Sequence, residues 1–112
     1  MQVSATAKYL RGSTRKARLV VQVIRGRSVE EASALLRFMP QHAAKDVAKV
    51  LKSATANAEN NLNMAADELV VIDARADEGP AIKRWRPRAQ GRAFPIHKPQ
   101  THITVTVGNR ED

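Results

Sequence analysis

Cysteine is absent from the 112 residues, which excludes disulfides and cysteine-based metal sites and gives no sign of an oxidising compartment. Aromatics are scarce, with one Trp, one Tyr and two Phe, so a core has to be built mainly from Val, Ile, Leu and Ala. No stretch approaches the roughly 18 consecutive apolar residues of a membrane span, and the opening MQVSATAKYLRGS holds no apolar run of the signal-peptide kind. A cytoplasmic protein with no membrane partner is therefore expected. Catalytic signatures are lacking as well. No Gly-rich phosphate loop follows a strand, and no Ser stands in a nucleophile setting. His42, His97 and His102 are scattered, and the adjacent acids Asp67/Glu68 and Asp77/Glu78, read as strand neighbours, point to opposite faces. We expect no enzyme activity, metal, cofactor or small-molecule substrate.

Acids are missing from long stretches of the chain. Residues 1–27 carry seven bases and no acid, residues 28–78 carry nine acids against five bases, and residues 79–112 carry seven bases against two terminal acids. The ends are thus cationic (+7 and +5) around an acidic middle (−4), within a net charge of +8 and a pI near 10.6. Such segregation repels itself unless a polyanion neutralises it, and nucleic acid is the usual one.

The length suits a single domain, residues 1–112, with a modest core. Val3, Ala5, Ala7 and Tyr9 alternate with polar residues as in a half-buried strand. Ser13 is placed as an N-cap before Ala17, Val20, Val21 and Ile24, which share one helical face, and Gly26 ends that helix. Arg15, Lys16 and Arg18 occupy its first turns, where the helix dipole disfavours cations unless an anion approaches. Ser28 to Glu31 forms a capping box ahead of Ala32, Leu35, Leu36 and Met39, closed by Pro40. A third helix is expected from about Gln41 to Asn60 through Ala44, Val47, Val50, Leu51, Ala54 and Ala58. Val70, Ile72, Ala74 and Ala76 read as the inner face of a strand, and in THITVTV Ile103, Val105 and Val107 point inward with Thr101, Thr104 and Thr106 outward. The expected fold is α+β: a small antiparallel three-stranded sheet packed on three helices.

The remaining stretch, AIKRWRPRAQGRAFPIHKP, gives the domain a long protruding β-hairpin arm at about 81–99, set on a globular part comprising 1–80 and 100–112. Arg88, Ala89, Gln90, Gly91 and Arg92 form the tip, with Gly91 suited to the turn. Limbs of about eight residues reach on the order of 25 Å, beyond a globule whose radius of gyration is about 13 Å. Pro87 and Pro95 lack ladder donors, and a lone two-stranded ribbon is marginal in water. The arm therefore needs an external, polyanionic surface. Arg favours RNA-like partners through forked phosphate contacts and planar stacking. Trp85 and Phe94 either stack on unpaired bases or pack across the hairpin. The RNA-binding set is then Lys8, Arg11, Arg15, Lys16, Arg18, Arg25, Lys83, Arg84, Trp85, Arg86, Arg88, Arg92, Lys98 and His102.

STRKARLVVQVIRGRSVEEA, AKVLKSATANAENN, DEGPAIKRWRPRAQGRA and HITVTV, in this order and spacing, resemble the bacterial large-subunit ribosomal protein twenty-two family from Ala5 to Val107. The resemblance implies a small α+β domain near the exit of the peptide tunnel and a hairpin threading through 23S ribosomal RNA. It implies a tip, residues 88–92, lining the tunnel wall beside the nascent peptide, with Lys83, Arg84 and Arg86 gripping RNA along the arm. Neighbouring large-subunit ribosomal proteins are implied partners, and subunit assembly is an implied role. Two positions depart from the pattern: Thr14, where the family often has proline, and Thr101, where serine is usual. The alternative is a free-standing basic DNA-binding regulator, because two short helices meet at a glycine turn. Against it, the second helix begins Val29, Glu30, Glu31, and those carboxylates repel phosphate.

Overall fold

A computed structural model of the chain describes residues 2–63, 65–79, 82–87, 93–98 and 100–109. The elements run β1 (Gln2–Arg11), α1 (Thr14–Ile24), α2 (Val29–Phe38), α3 (Ala43–Leu62), a 3-10 turn (Ala66–Glu68), β2 (Leu69–Glu78), β3 (Ile82–Pro87), β4 (Ala93–Lys98) and β5 (Gln100–Asn109). The body is a three-stranded antiparallel sheet in the order β1-β5-β2, while β3 and β4 form a separate two-stranded ribbon. α1 packs on β2 and α3, α3 on β1 and β5, and α2 mainly on α3. This is the expected α+β architecture.

The helices bury the faces their periodicity prescribes. Ala17, Val20, Val21 and Ile24 of α1 and Ala44, Val47, Val50, Leu51, Ala54 and Ala58 of α3 meet Ile103, Val105 and Val107 of β5 in one core. On α2, Ala32 and Leu36 are buried and Leu35 and Met39 only partly so. Small residues let α3 approach the sheet closely, as a chain short of aromatics requires. Ser28 caps α2 by accepting from the Glu31 amide at 3.2 Å. Gly26, at φ +82°, turns the chain out of α1, and its amide reaches the Val71 carbonyl at 2.8 Å. α3 starts and ends two residues later than expected and stops at Asn63, whose φ of 52° is left-handed.

Two strands depart from simple alternation for one reason. In β1 the register moves from Ala7↔Ile103 to Leu10↔Thr101, and Tyr9 adopts φ 61°. Tyr9, expected to face inward, is 59 % exposed, and Leu10 packs against the core instead. In β2 the register moves from Val71↔Val107 to Asp73↔Thr106 with Ile72 extra, so Leu69 and Val71 are buried in place of Val70 and Ile72. A bulge inserts one residue and reverses which side chains face the core. Asp67 and Glu68 lie in the 3-10 turn, not in a strand.

Thr101 was expected outward but is only 3 % exposed, because it shares parity with Ile103, Val105 and Val107. Its hydroxyl meets that of Thr14 at 2.9 Å and donates to the Gly12 carbonyl at 3.2 Å. The two threonines are thus hydrogen-bond partners, and a proline at position 14 would remove the contact. Thr14→Val and Thr101→Val, measured by denaturant unfolding singly and together, should show a coupling of about 1 kcal/mol; strict additivity would mean that the bond contributes nothing.

Candidate nucleic-acid interface

The sheet register places both cationic stretches of the sequence at one end of the molecule. Arg11, the last residue of β1, pairs with Gln100, the first of β5, and Leu10 pairs with Thr101. Gln100 is also the root of the arm, where its carbonyl accepts from the Gly79 amide at 2.9 Å. α1 starts three residues after Arg11. Arg11, Arg15 and Lys16 therefore stand at the end of the sheet where Gly79 and Gln100 lead into the arm, and Lys8 lies in the β1 bulge just behind them. All four are exposed, and none has an ion pair among the described residues. Asp77 and Glu78 share this end of the sheet but sit on β2, across β5 from Arg11.

The first turn of α1 is open to an anion. Ser13 has extended backbone but makes no side-chain cap, and no acid sits in the first turn. The first helical bond is Ala17 N–H to Ser13 C=O at 3.1 Å, and the amides of Thr14, Arg15 and Lys16 have no acceptor among the described residues.

His102 is held at the same end. Its Nδ1 accepts the Tyr9 amide at 3.0 Å, which secures the β1 bulge and leaves the ring proton on Nε2. The Tyr9 ring meets it edge-on, with centroids 5.0 Å apart. Gly79 packs opposite: a Cβ there would lie 3.0 Å from His102 Cε1, so the ring would have to yield by a few tenths of an ångström.

Arg18 and Arg25 serve the fold in a way the charge count did not reveal. β2 is an edge strand with unpaired carbonyls. Arg18 Nε donates to the Ala76 carbonyl at 3.0 Å, and the Arg25 guanidinium donates to the Ala74 carbonyl while facing Asp73 at 3.5 Å. Arg75 pairs with the same carboxylate at 2.6 Å. Since Arg18 and Arg25 remain exposed, each keeps donors for a phosphate beyond these bonds. The signal for this role was their spacing along α1, which runs beside an edge in need of donors.

In the arm, Ile82↔Lys98, Lys83↔His97, Arg84↔Ile96, Trp85↔Pro95, Arg86↔Phe94 and Pro87↔Ala93 are ladder partners. Trp85 and Phe94 are therefore not a directly opposed cross-strand pair. The tip residues Arg88, Ala89, Gln90, Gly91 and Arg92 lie outside the described residues. The molecule measures 63 × 26 × 18 Å with a radius of gyration of 17.1 Å, against about 13 Å for a compact chain of this length.

Sequence reasoning missed a groove of about 630 Å³ between this end of α1 and the α2–α3 junction, lined by Leu10, Arg11, Lys16, Leu19, Pro40 and Gln41, among others. Gln41 Oε1 is buried there without a hydrogen-bond partner among the described residues, an arrangement that costs roughly 1–3 kcal/mol. Such a site leaves no local pattern in the sequence, because its walls come from β1, α1, α3 and β5 as well as the α2–α3 junction.

Comparison with known proteins agrees with this geometry. Residues 5–108 match the model of the family described as ribosomal protein L22p/L17e. The chain is 52 % identical over 112 residues to the large ribosomal subunit protein uL22 of Chloroflexus aggregans (strain MD-66 / DSM 9485), covering 100 % of this chain and 99 % of that one. It is 50 % identical over 110 residues to uL22 of Clostridium novyi (strain NT), covering 98 % and 99 %. It is 51 % identical over 110 residues to the large ribosomal subunit protein uL22c of Physcomitrium patens, covering 98 % and 93 %. With the matched region spanning both the body and the arm, the chain belongs to the ribosomal protein L22p/L17e family, whose members are structural ribosomal proteins and not enzymes.

Proposed function

We propose that the chain binds 23S ribosomal RNA through its cationic end and its arm, as one domain whose body anchors a hairpin inserted into folded RNA. As a member of its family it is a structural constituent of the large ribosomal subunit, working in translation on the ribosome, in the cytoplasm as bacterial ribosomal proteins do. Lys8, Arg11, Arg15, Lys16 and His102 contact RNA from the body, and Arg18 and Arg25 do so with the donors that β2 leaves them. Lys83, Arg84, Trp85, Arg86 and Lys98 contact RNA along the arm, with Trp85 free of an aromatic ladder partner and suited to stacking on an unpaired base. The tip, Arg88, Ala89, Gln90, Gly91 and Arg92, lines the peptide exit tunnel beside the nascent chain. Neighbouring ribosomal proteins complete the setting, and the RNA contacts support subunit assembly.

The observation that carries this reading is the convergence of Arg11, Arg15 and Lys16 on the arm root, set by the Arg11↔Gln100 register. Unpaired cations gathered there repel one another unless phosphates lie between them. If about six cations neutralise phosphates, log affinity for large-subunit RNA should fall against log salt with a slope of about 4 to 5. Filter binding across a salt series measures it, and a nearly flat line would remove the basic end as the binding surface. Folded ribosomal RNA should also outcompete random duplex DNA; the reverse preference would favour a DNA-binding regulator.

A further inference from the structure

We infer that the groove beside the first turn of α1 takes one unpaired nucleotide of the ribosomal RNA, with its base against the apolar wall and its phosphate at the start of the helix. This rests on the RNA-binding reading above and names a site for it. At about 630 Å³ the groove falls in the size range of sites for small organic groups. Leu10, Leu19 and Pro40 offer apolar surface of the kind that receives the face of a base, while Arg11 and Lys16 line the same groove. Thr14, Arg15 and Lys16 present amides without acceptors among the described residues, in a turn that has no acid and no side-chain cap. Cations in a helix's first turn oppose its dipole, and a phosphate at that turn relieves both conflicts. Asp46 also lines the groove, on the α3 side, and so directs the anionic part of an occupant toward α1.

Gln41 is the independent sign of a ligand. Gln41 lines the groove, and its Oε1 is buried without a hydrogen-bond partner among the described residues. A rotation of the Gln41 side chain that turns Oε1 into the groove would let it accept from the exocyclic amino group of adenine, cytosine or guanine, which a base displaced from its stack presents. The position suits the purpose, since Arg11 pairs with the arm root at Gln100 and RNA gripped by the arm passes this end of the body. Two cations and an uncapped helix start favour a polyanionic strand over a peptide.

The test uses the full chain with Leu19, which is 53 % exposed at the groove, replaced by photoreactive benzoylphenylalanine, assembled into large subunits and irradiated. A crosslink to a nucleotide of the large-subunit RNA is expected. A crosslink to protein alone would assign the groove to a peptide and overturn the inference, as would no crosslink from incorporated protein. Failure of the chain to enter large subunits would overturn the RNA-binding reading itself, and the inference with it. Independently, Ala43→Trp fills the groove and should weaken affinity for isolated large-subunit RNA about tenfold, the scale of losing one stacked base. Unchanged affinity in a variant with wild-type circular dichroism would also overturn the inference. Should that variant not fold, the crosslink decides.

Discussion

Changing Lys83, Arg84 and Arg86 together to alanine should weaken binding to large-subunit ribosomal RNA about 100-fold at moderate salt, because each lost charge-assisted phosphate contact is worth about 1 kcal/mol or more. The salt slope should drop by roughly 2 to 3 units in the same variant, at 0.7 to 0.9 per phosphate. Thermal unfolding should hardly change. These residues stand on β3, whose ladder partner among the described residues is β4, while the core is closed by α1, α2, α3 and the β1-β5-β2 sheet. Filter binding and calorimetry on one preparation give both readings. A stability loss as large as the affinity loss would mean that the arm packs on the body, which would contradict its role as an RNA-directed extension.

Val105→Asp should have the opposite profile and unfold the body. Val105 is 0 % exposed on the central strand, paired with Ala5 of β1 and Ala74 of β2. A carboxylate there has no cation to meet and costs several kcal/mol, a large part of the roughly 5–15 kcal/mol available to a domain of ordinary stability. Thr106→Asp, one residue on, is the control. Thr106 is half-buried on the face away from the helices, bonded to the Ser4 hydroxyl at 2.8 Å, so the same chemistry should cost about 1 kcal/mol. Circular dichroism melts separate the two, and similar losses would place the core on the wrong face of β5.

Most of this body was legible in the sequence, and the misread faces of β1 and β2 share a cause. Ala17 to Ile24 and Ala44 to Ala58 follow helical spacing without interruption, so their buried faces could be read directly. Strand faces depend on an unbroken count by two. The bulges at Lys8–Tyr9 and at Ile72 add one residue each, and nothing local announces them: the Tyr9 bulge is held by His102, distant in sequence. The cationic ends were visible as composition, but their meeting at the arm root depends on the pairing of β1 with β5. The division of Arg18 and Arg25 between edge carbonyls and solvent, and the buried Gln41 acceptor, exist only once α1, β2 and the α2–α3 junction are assembled.

If the arm is an RNA-directed extension, β3 and β4 pair stably only when RNA surrounds them. Its ladder is six residues on each side, includes Pro87 and Pro95, and as an isolated two-stranded ribbon is marginal in water. Amide hydrogen exchange on the free protein and on its complex with large-subunit RNA tests this directly. Residues 82–87 and 93–98 should exchange rapidly in the free protein while β5 stays protected, and should become protected in the complex. Strong protection of the arm without RNA, or none gained with it, would contradict the account.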